Sequence, residues 1–182
     1  LQEYIQKNED DKLVVALAYL DNYEEALEGV EEVRRSLLLA LIDRKITKYF
    51  SNFDGLVRKL ERDKYFLIMR QSSLEALEEQ RFHILEEIKT VNIGNEMAVT
   101  LSIGVGLNGA NYLQNYEYCR IAIEMALGRG GDQAVIKSGD SISYFGGKSQ
   151  QMEKNTRVKA RVKAQAFREL VETKDKVVVM GH

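Results

Sequence analysis

Residues 12–20 (KLVVALAYL) constrain the fold more than any other segment. After the lysine every side chain is apolar, and Val14 and Val15 are β-branched. A strand that is apolar on both faces has no solvent side. It therefore reads as a central strand of a sheet covered by helices. Asp21 and Asn22 end the run and can cap a helix that follows.

The rest of the chain supplies those helices. Apolar Ala26, Val30, Val33, Leu37, Ala40 and Leu41 recur at helical spacing and predict one long helix over residues 23–49. Residues 50–55 (FSNFDG) read as a turn. Residues 56–60 and 65–69 read as two strands joined by a charged tip, Glu61-Arg62-Asp63-Lys64. A second helix starts at Ser72 or Ser73 and carries Leu74, Leu77, Phe82, Leu85 and Ile88. Residues 98–107 (AVTLSIGVGL) form another buried strand. A third helix over 115–127 stops at Gly128-Arg129-Gly130-Gly131. Residues 133–137 and 141–145 make a last hairpin, 151–173 a polar, basic helix, and 176–180 the start of a further strand. The order β-α-β-β-α-β-α-β-β predicts an α/β (α+β) domain with a split βαβ, ferredoxin-like mixed sheet flanked by helices.

Composition narrows the class. The length of 182 residues suits one domain with a connector, and 45% apolar residues suffice to cover one sheet. Apolar runs such as 37–42 and 177–180 are far too short to cross a bilayer. The N-terminus, LQEYIQKNEDDK, is polar and shows no signal peptide. The single Cys119 excludes an internal disulfide, gives no metal cluster and reads as a small buried hydrophobe in a reducing compartment. A net charge of −2 gives no global attraction to nucleic acid. The ends, Leu1 and VVVMGH, predict a piece of a longer protein.

Four local patterns in this order resemble GGDEF domains, the diguanylate cyclase family, within the nucleotidyl-cyclase-like fold. Residues 18–23 (AYLDNY) stand where that family has Asp-Ile-Asp-x-Phe. Residues 60–65 (LERDKY) occupy the hairpin that normally reads Gly-Gly-Asp-Glu-Phe after an aromatic. Residues 100–105 (TLSIGV) are similar to its T-x-S-I-G-V strand, and 122–132 (AIEMALGRGGD) to the end of its last helix. The variant, with ALGRGGDQAVIK and YFGGKS, resembles the GdpP (YybT) family of membrane-bound cyclic-di-AMP phosphodiesterases. The resemblance implies a degenerate GGDEF domain over 1–150, a helical connector over 151–175 and the start of a DHH domain over 176–182. It implies adjacent PAS-like and DHH-DHHA1 domains, a homodimer as an open alternative, and a parent in the bacterial plasma membrane with this domain on the cytoplasmic side. His182 would match the first metal-binding histidine of the DHH domain, whose remainder would hold manganese.

The resemblance also shows what has been lost. A cyclase holds divalent cations with fixed carboxylates. The first of these positions is Tyr19, whose phenol is a poor Mg²⁺ ligand. Asp21 matches the second acid and reads equally as a helix cap. Glu61 and Arg62 replace both glycines of the turn, which removes positive-φ freedom and close backbone approach. Asp63 matches the family Asp and Lys64 replaces the Glu. The register can slip by one; the first alignment puts Leu60 and Tyr65 at the two apolar positions. Leu27 and Ser36 fall where the family reads guanine, so selectivity for GTP is lost. The expectation is a nucleotide-binding regulatory domain for ATP, with Mg²⁺ accompanying the nucleotide and weak hydrolysis at most. Its contacts would be Asp21, Asn22, Tyr23, Arg62, Asp63 and Lys64, with backbone N–H groups of 21–23 on phosphate and Asp21 and Asp63 as a reduced metal site. The alternative is a non-catalytic dimerisation and signal-relay spacer.

Three further features read as bland. Gly146-Gly147-Lys148-Ser149 resembles the end of a P-loop, but the earlier glycine is replaced by Ile142. His83 reads as structural or exposed. The basic run Arg157, Lys159, Arg161, Lys163 and Arg168 is diluted by glutamates and reads as a solvated connector.

Overall fold

A computed structural model describes residues 1–146. The expected connector and final strand, the Gly147-Lys148-Ser149 run, the basic run and His182 lie outside the described residues. The elements in chain order are α1 (Gln2–Asp10), β1 (Leu13–Leu20), α2 (Tyr23–Ala26), α3 (Glu32–Ser51), β2 (Leu56–Glu61), β3 (Lys64–Arg70), α4 (Gln71–Glu79), α5 (Ile84–Lys89), β4 (Leu101–Leu107), α6 (Tyr112–Gly128), β5 (Ala134–Ser138) and β6 (Ser141–Phe145).

As the apolar run requires, β1 lies inside a six-stranded sheet of order β2-β3-β1-β4-β5-β6. It pairs antiparallel with β3 on one side and β4 on the other. β4 and β5 are parallel, and β5 and β6 form an antiparallel hairpin. The four strands β2-β3-β1-β4 have the ferredoxin-like order expected from the sequence. Even-numbered β1 residues, Val14 to Leu20, pack with Leu38, Ile42, Ile46, Leu74, Leu77 and Ile84 from α3, α4 and α5. Odd-numbered Val15 and Leu17 pack with Cys119 and Ile123 of α6 on the other face. Period-two alternation thus feeds two separate cores from one strand.

β4 is buried along its whole length because α6 lies directly on it. A Cβ on Gly104 would stand 2.3 Å from the Ile123 amide nitrogen, and one on Gly106 only 1.9 Å from the Asn115 carbonyl oxygen. Only glycine allows the two backbones to approach this closely. Cys119 points into the same contact, its thiol donating to Gly104 O at 3.3 Å, and burial pushes its pKa up. It is the buried hydrophobe expected.

The structure corrects several boundaries. The helix expected over 23–49 is two helices, separated by a turn in which Gly29 takes φ +75°. Its expected apolar face is also wrong: Val33, Leu37, Ala40 and Leu41 face solvent, while Leu38, Ile42, Ile46, Tyr49 and Phe50 are buried. The second helix begins at Gln71 and breaks after Glu79, where Arg81 and Phe82 both adopt positive φ. Its apolar set is buried as expected. α6 starts three residues early because the Asn111 side chain accepts from Gln114 N (2.9 Å) while Gln114 Oε1 accepts from Ala110 N (2.5 Å), a reciprocal cap. β4 starts at Leu101 rather than residue 98. The N-terminal helix α1, almost wholly exposed, was not expected.

Candidate functional site

The C-terminal end of β1, the tip of the β2–β3 hairpin and the first turns of α2 and α3 converge at one end of the sheet. Leu20 N–H donates to Asp63 O at 2.8 Å, which ties the tip to the end of β1. Glu61 and Lys64 are paired, so the turn itself is only Arg62-Asp63, with a register irregularity between Lys59 and Glu61. Neither Arg62 nor Asp63 has positive φ. The loss of the glycines is therefore accommodated by a different turn, not by strain. Tyr65 is buried as the motif register required, whereas Leu60 is exposed. The Tyr65 hydroxyl donates to Asp43 of α3, and Lys59 Nζ reaches the other Asp43 oxygen at 2.7 Å. Burial first, and then the Asp43 carboxylate, push the Tyr65 pKa up. This clamp fixes the hairpin against α3.

Between them lies a cleft of about 520 Å³ lined by Tyr23, Glu32, Arg35, Ser36, Leu39 and Arg62, with Val30 at its edge. A volume of this order suits a nucleoside-sized ligand. Arg35 is oriented by donation from Nε to Val30 O at 2.7 Å. Arg62 is exposed, and its pKa is raised first by its approach to the Tyr23 hydroxyl. Two guanidiniums and one carboxylate thus border the opening. Ser36 lines the cleft, while Leu27 is buried, lies off its lining and presents no polar group.

The remaining residues singled out by the sequence go elsewhere. Tyr19 and Lys64 lie opposite each other on β1 and β3, and Lys64 Nζ sits 5.4 Å from the Tyr19 ring centroid. The same ammonium pairs with Glu61 at 3.2 Å. Burial, the largest cause, raises the Tyr19 pKa, so its phenol stays neutral. Lys64 is therefore not in the cleft with Arg62. Asp21 does not cap α2. Its carboxylate accepts from Thr100 Oγ1, from Ser102 Oγ at 2.5 Å and from Asp132 N at 2.9 Å. Gly131 approaches it so closely that a Cβ would stand 2.7 Å from Asp21 Cγ. Asn22, at the N-cap position, makes no capping bond; it donates to Ala98 O and accepts from Thr100 N, both at 2.8 Å. The Asp21 amide is engaged with Thr100 O at 3.2 Å, so it is not available to a phosphate. Asp63 makes no side-chain hydrogen bond or ion pair among the described residues.

This donor set does not fit a protein-held divalent ion. Tyr19 offers no carboxylate, both Asp21 oxygens are already engaged, and a lysine ammonium occupies the adjoining position. No group of three His, Cys, Asp or Glu among the described residues could hold a metal. His83 is exposed, 3.9 Å from Glu87. The sequence did not single out Arg35, whose place on the cleft lining follows from the break at Gly29. It also missed Asp132, whose raised pKa comes first from burial and is opposed by Lys89 at 2.8 Å.

Residues 18–144 match the family described as cyclic-di-AMP phosphodiesterase GdpP-like, GGDEF domain. The chain belongs to this family. It is 37% identical over 177 residues to the cyclic-di-AMP phosphodiesterase PdeA of Listeria monocytogenes, covering 97% of the chain and 27% of that protein. It is 33% identical over 181 residues to the cyclic-di-AMP phosphodiesterase GdpP of Geobacillus thermodenitrificans, covering 99% of the chain and 28% of that protein. The chain thus spans little more than a quarter of the length of these relatives. Its fold is that of the active GGEEF domain of a diguanylate cyclase from Vibrio cholerae, with a TM-score of 0.60 at 13% identity, covering 76% of this chain and 90% of that one. No helix among the described residues is long and apolar enough to cross a membrane.

Proposed function

We propose that this GGDEF domain is a degenerate regulatory module that binds a nucleotide without cyclising it. The observation that carries the reading is Lys64 Nζ over the Tyr19 ring, at positions where the family pattern has acids. A fixed ammonium repels a divalent cation from that ground, so the carboxylate-held metal of a cyclase has no place there. The positive charge suits phosphate instead, and Arg62 and Arg35 add to it at the neighbouring cleft. Mg²⁺ would enter with the nucleotide's phosphates rather than on protein ligands. Leu27 is buried and Ser36 alone of the guanine-reading pair lines the cleft, which removes discrimination for GTP and leaves ATP as the expected ligand. Hydrolysis would be weak at most, since Glu32 is the one carboxylate lining the cleft and no metal-holding group stands beside it among the described residues.

In the longer protein that the relatives represent, the domain would bias a cyclic-di-AMP phosphodiesterase through the connector at 151–175. Its neighbours would be a PAS-like domain and a DHH-DHHA1 unit, in a protein of the plasma membrane with this domain on the cytoplasmic side. A ligand can shift such a partner only by binding two arrangements unequally. A second reading, a dimerisation and relay spacer without ligand, is favoured by the open apolar face of α3.

Calorimetric titration of the chain with ATP and GTP, each with and without Mg²⁺, tests the proposal. Saturable ATP binding is expected, weakened about tenfold by Arg62→Ala or Lys64→Ala, the loss of one charge-assisted contact. No binding at millimolar nucleotide would leave only the spacer. Cyclic di-GMP formed from GTP would overturn the loss of cyclase chemistry.

A further inference from the structure

α3 is apolar on two faces, and the sheet covers only one. Val33, Leu37 and Leu41, at i, i+4 and i+8, form one line along its outer side and are 74%, 52% and 41% exposed. Ala40 lies beside them and is also exposed. Isolated apolar residues on a surface need no explanation, but a continuous helical stripe does.

Two clefts of opposite charge flank this stripe. Toward the start of α3, a cleft of about 830 Å³ is lined by Glu25, Glu28, Glu31 and Glu96 against a single Arg34. Toward its end, a cleft of about 590 Å³ is lined by Leu41 and by Arg44, Lys45 and Lys48 against a single Glu87. Lys45 and Glu87 lie 3.7 Å apart, which leaves Arg44 and Lys48 without an ion pair among the described residues.

We propose that this face is the interface of a two-fold homodimer, with α3 packed antiparallel on α3 of a second copy. A two-fold interface must be complementary to itself. Reversing the helix places Leu37 over the partner's Leu41 and brings each acidic cleft opposite the partner's basic one. A parallel pairing would set acid against acid. An anionic surface, whether nucleic acid or lipid, would meet four glutamates at one end of the stripe. The second copy is the occupant that answers both ends at once. The stripe lies on a different side of α3 from Arg35, Ser36 and Leu39, so the dimer leaves the nucleotide cleft open and stands independently of it.

Sedimentation of the 182-residue chain from micromolar to millimolar concentration reads the association directly. A dimer is expected, and Leu37→Asp should raise its dissociation constant at least about tenfold, as for a central interface residue. Two charge-reversed chains give the sharper readout. Glu28→Lys/Glu31→Lys carries basic groups at both ends, and Arg44→Glu/Lys48→Glu carries acidic groups at both. Each alone should self-associate more weakly than the parent, and an equimolar mixture should recover a heterodimer. A chain that stays monomeric throughout, a dimer indifferent to Leu37→Asp, or a mixture no better than its components would each overturn the proposal.

Discussion

Asp21 joins three segments through one side chain. Its carboxylate holds Thr100 and Ser102 at the start of β4 and the amide of Asp132 before β5. Ser102 is wholly buried, so removing its acceptor strands a hydroxyl without water. Asp21→Ala should therefore cost about 2–4 kcal/mol of stability with no nucleotide or metal present. Asp63→Ala, whose carboxylate has no side-chain partner among the described residues, should stay within about 0.5 kcal/mol. Urea unfolding of both variants checks this, and equal losses would sink the assignment. The sequence left Asp21 between a helix cap and a metal ligand because its partners lie 79, 81 and 111 residues away. No local pattern reports such a bond. The losses at Tyr19 and Leu27 were legible, because they depend on side-chain chemistry alone.

Helix α3 shows where periodicity stops being informative. Its sequence carries two parallel stripes of identical spacing, Val33-Leu37-Leu41 and Leu38-Ile42-Ile46. Spacing alone cannot choose between them, and the stripe expected to be buried is the open one. The sheet chooses, through the way the Gly29 turn sets the entry of the helix. The β4–α6 pair behaves differently, because glycines at 104 and 106 interrupt a wholly buried strand for a reason the structure makes plain. Gly106→Ala would drive a Cβ into the Asn115 carbonyl and within 2.5 Å of the Cys119 amide, both rigid helix backbone. It should cost about 3 kcal/mol or more, since α6 itself must shift. Gly128→Ala, at the end of the same helix with nothing within 4 Å, should be neutral or slightly stabilising. Thermal unfolding of the pair distinguishes contact from composition; similar midpoints would mean that α6 is not held by this approach.

The molecule as a whole is unevenly covered. α6 packs on β4, β5 and β1, while α3, α4 and α5 take the opposite face. β1 and β4 are therefore enclosed on both sides, as the two apolar runs of the sequence predicted. β2 is an outer strand with mostly exposed residues, and β6 is the other edge. Local opening free energies follow such coverage. Amide hydrogen exchange should be slowest in β1 and β4, approaching the global unfolding limit, and clearly faster in β2 and β6. Arg62 and Lys64 thus ride on the less enclosed hairpin, and the cleft partners of Arg62, Glu32, Arg35 and Ser36, lie just past the Gly29 turn. Nucleotide binding at that cleft should slow exchange in the β2–β3 hairpin and at the start of α3 while leaving β4 unchanged. Exchange in β2 as slow as in β4 before any ligand is added would remove the basis for this response, because a hairpin already locked has no opening for a ligand to suppress.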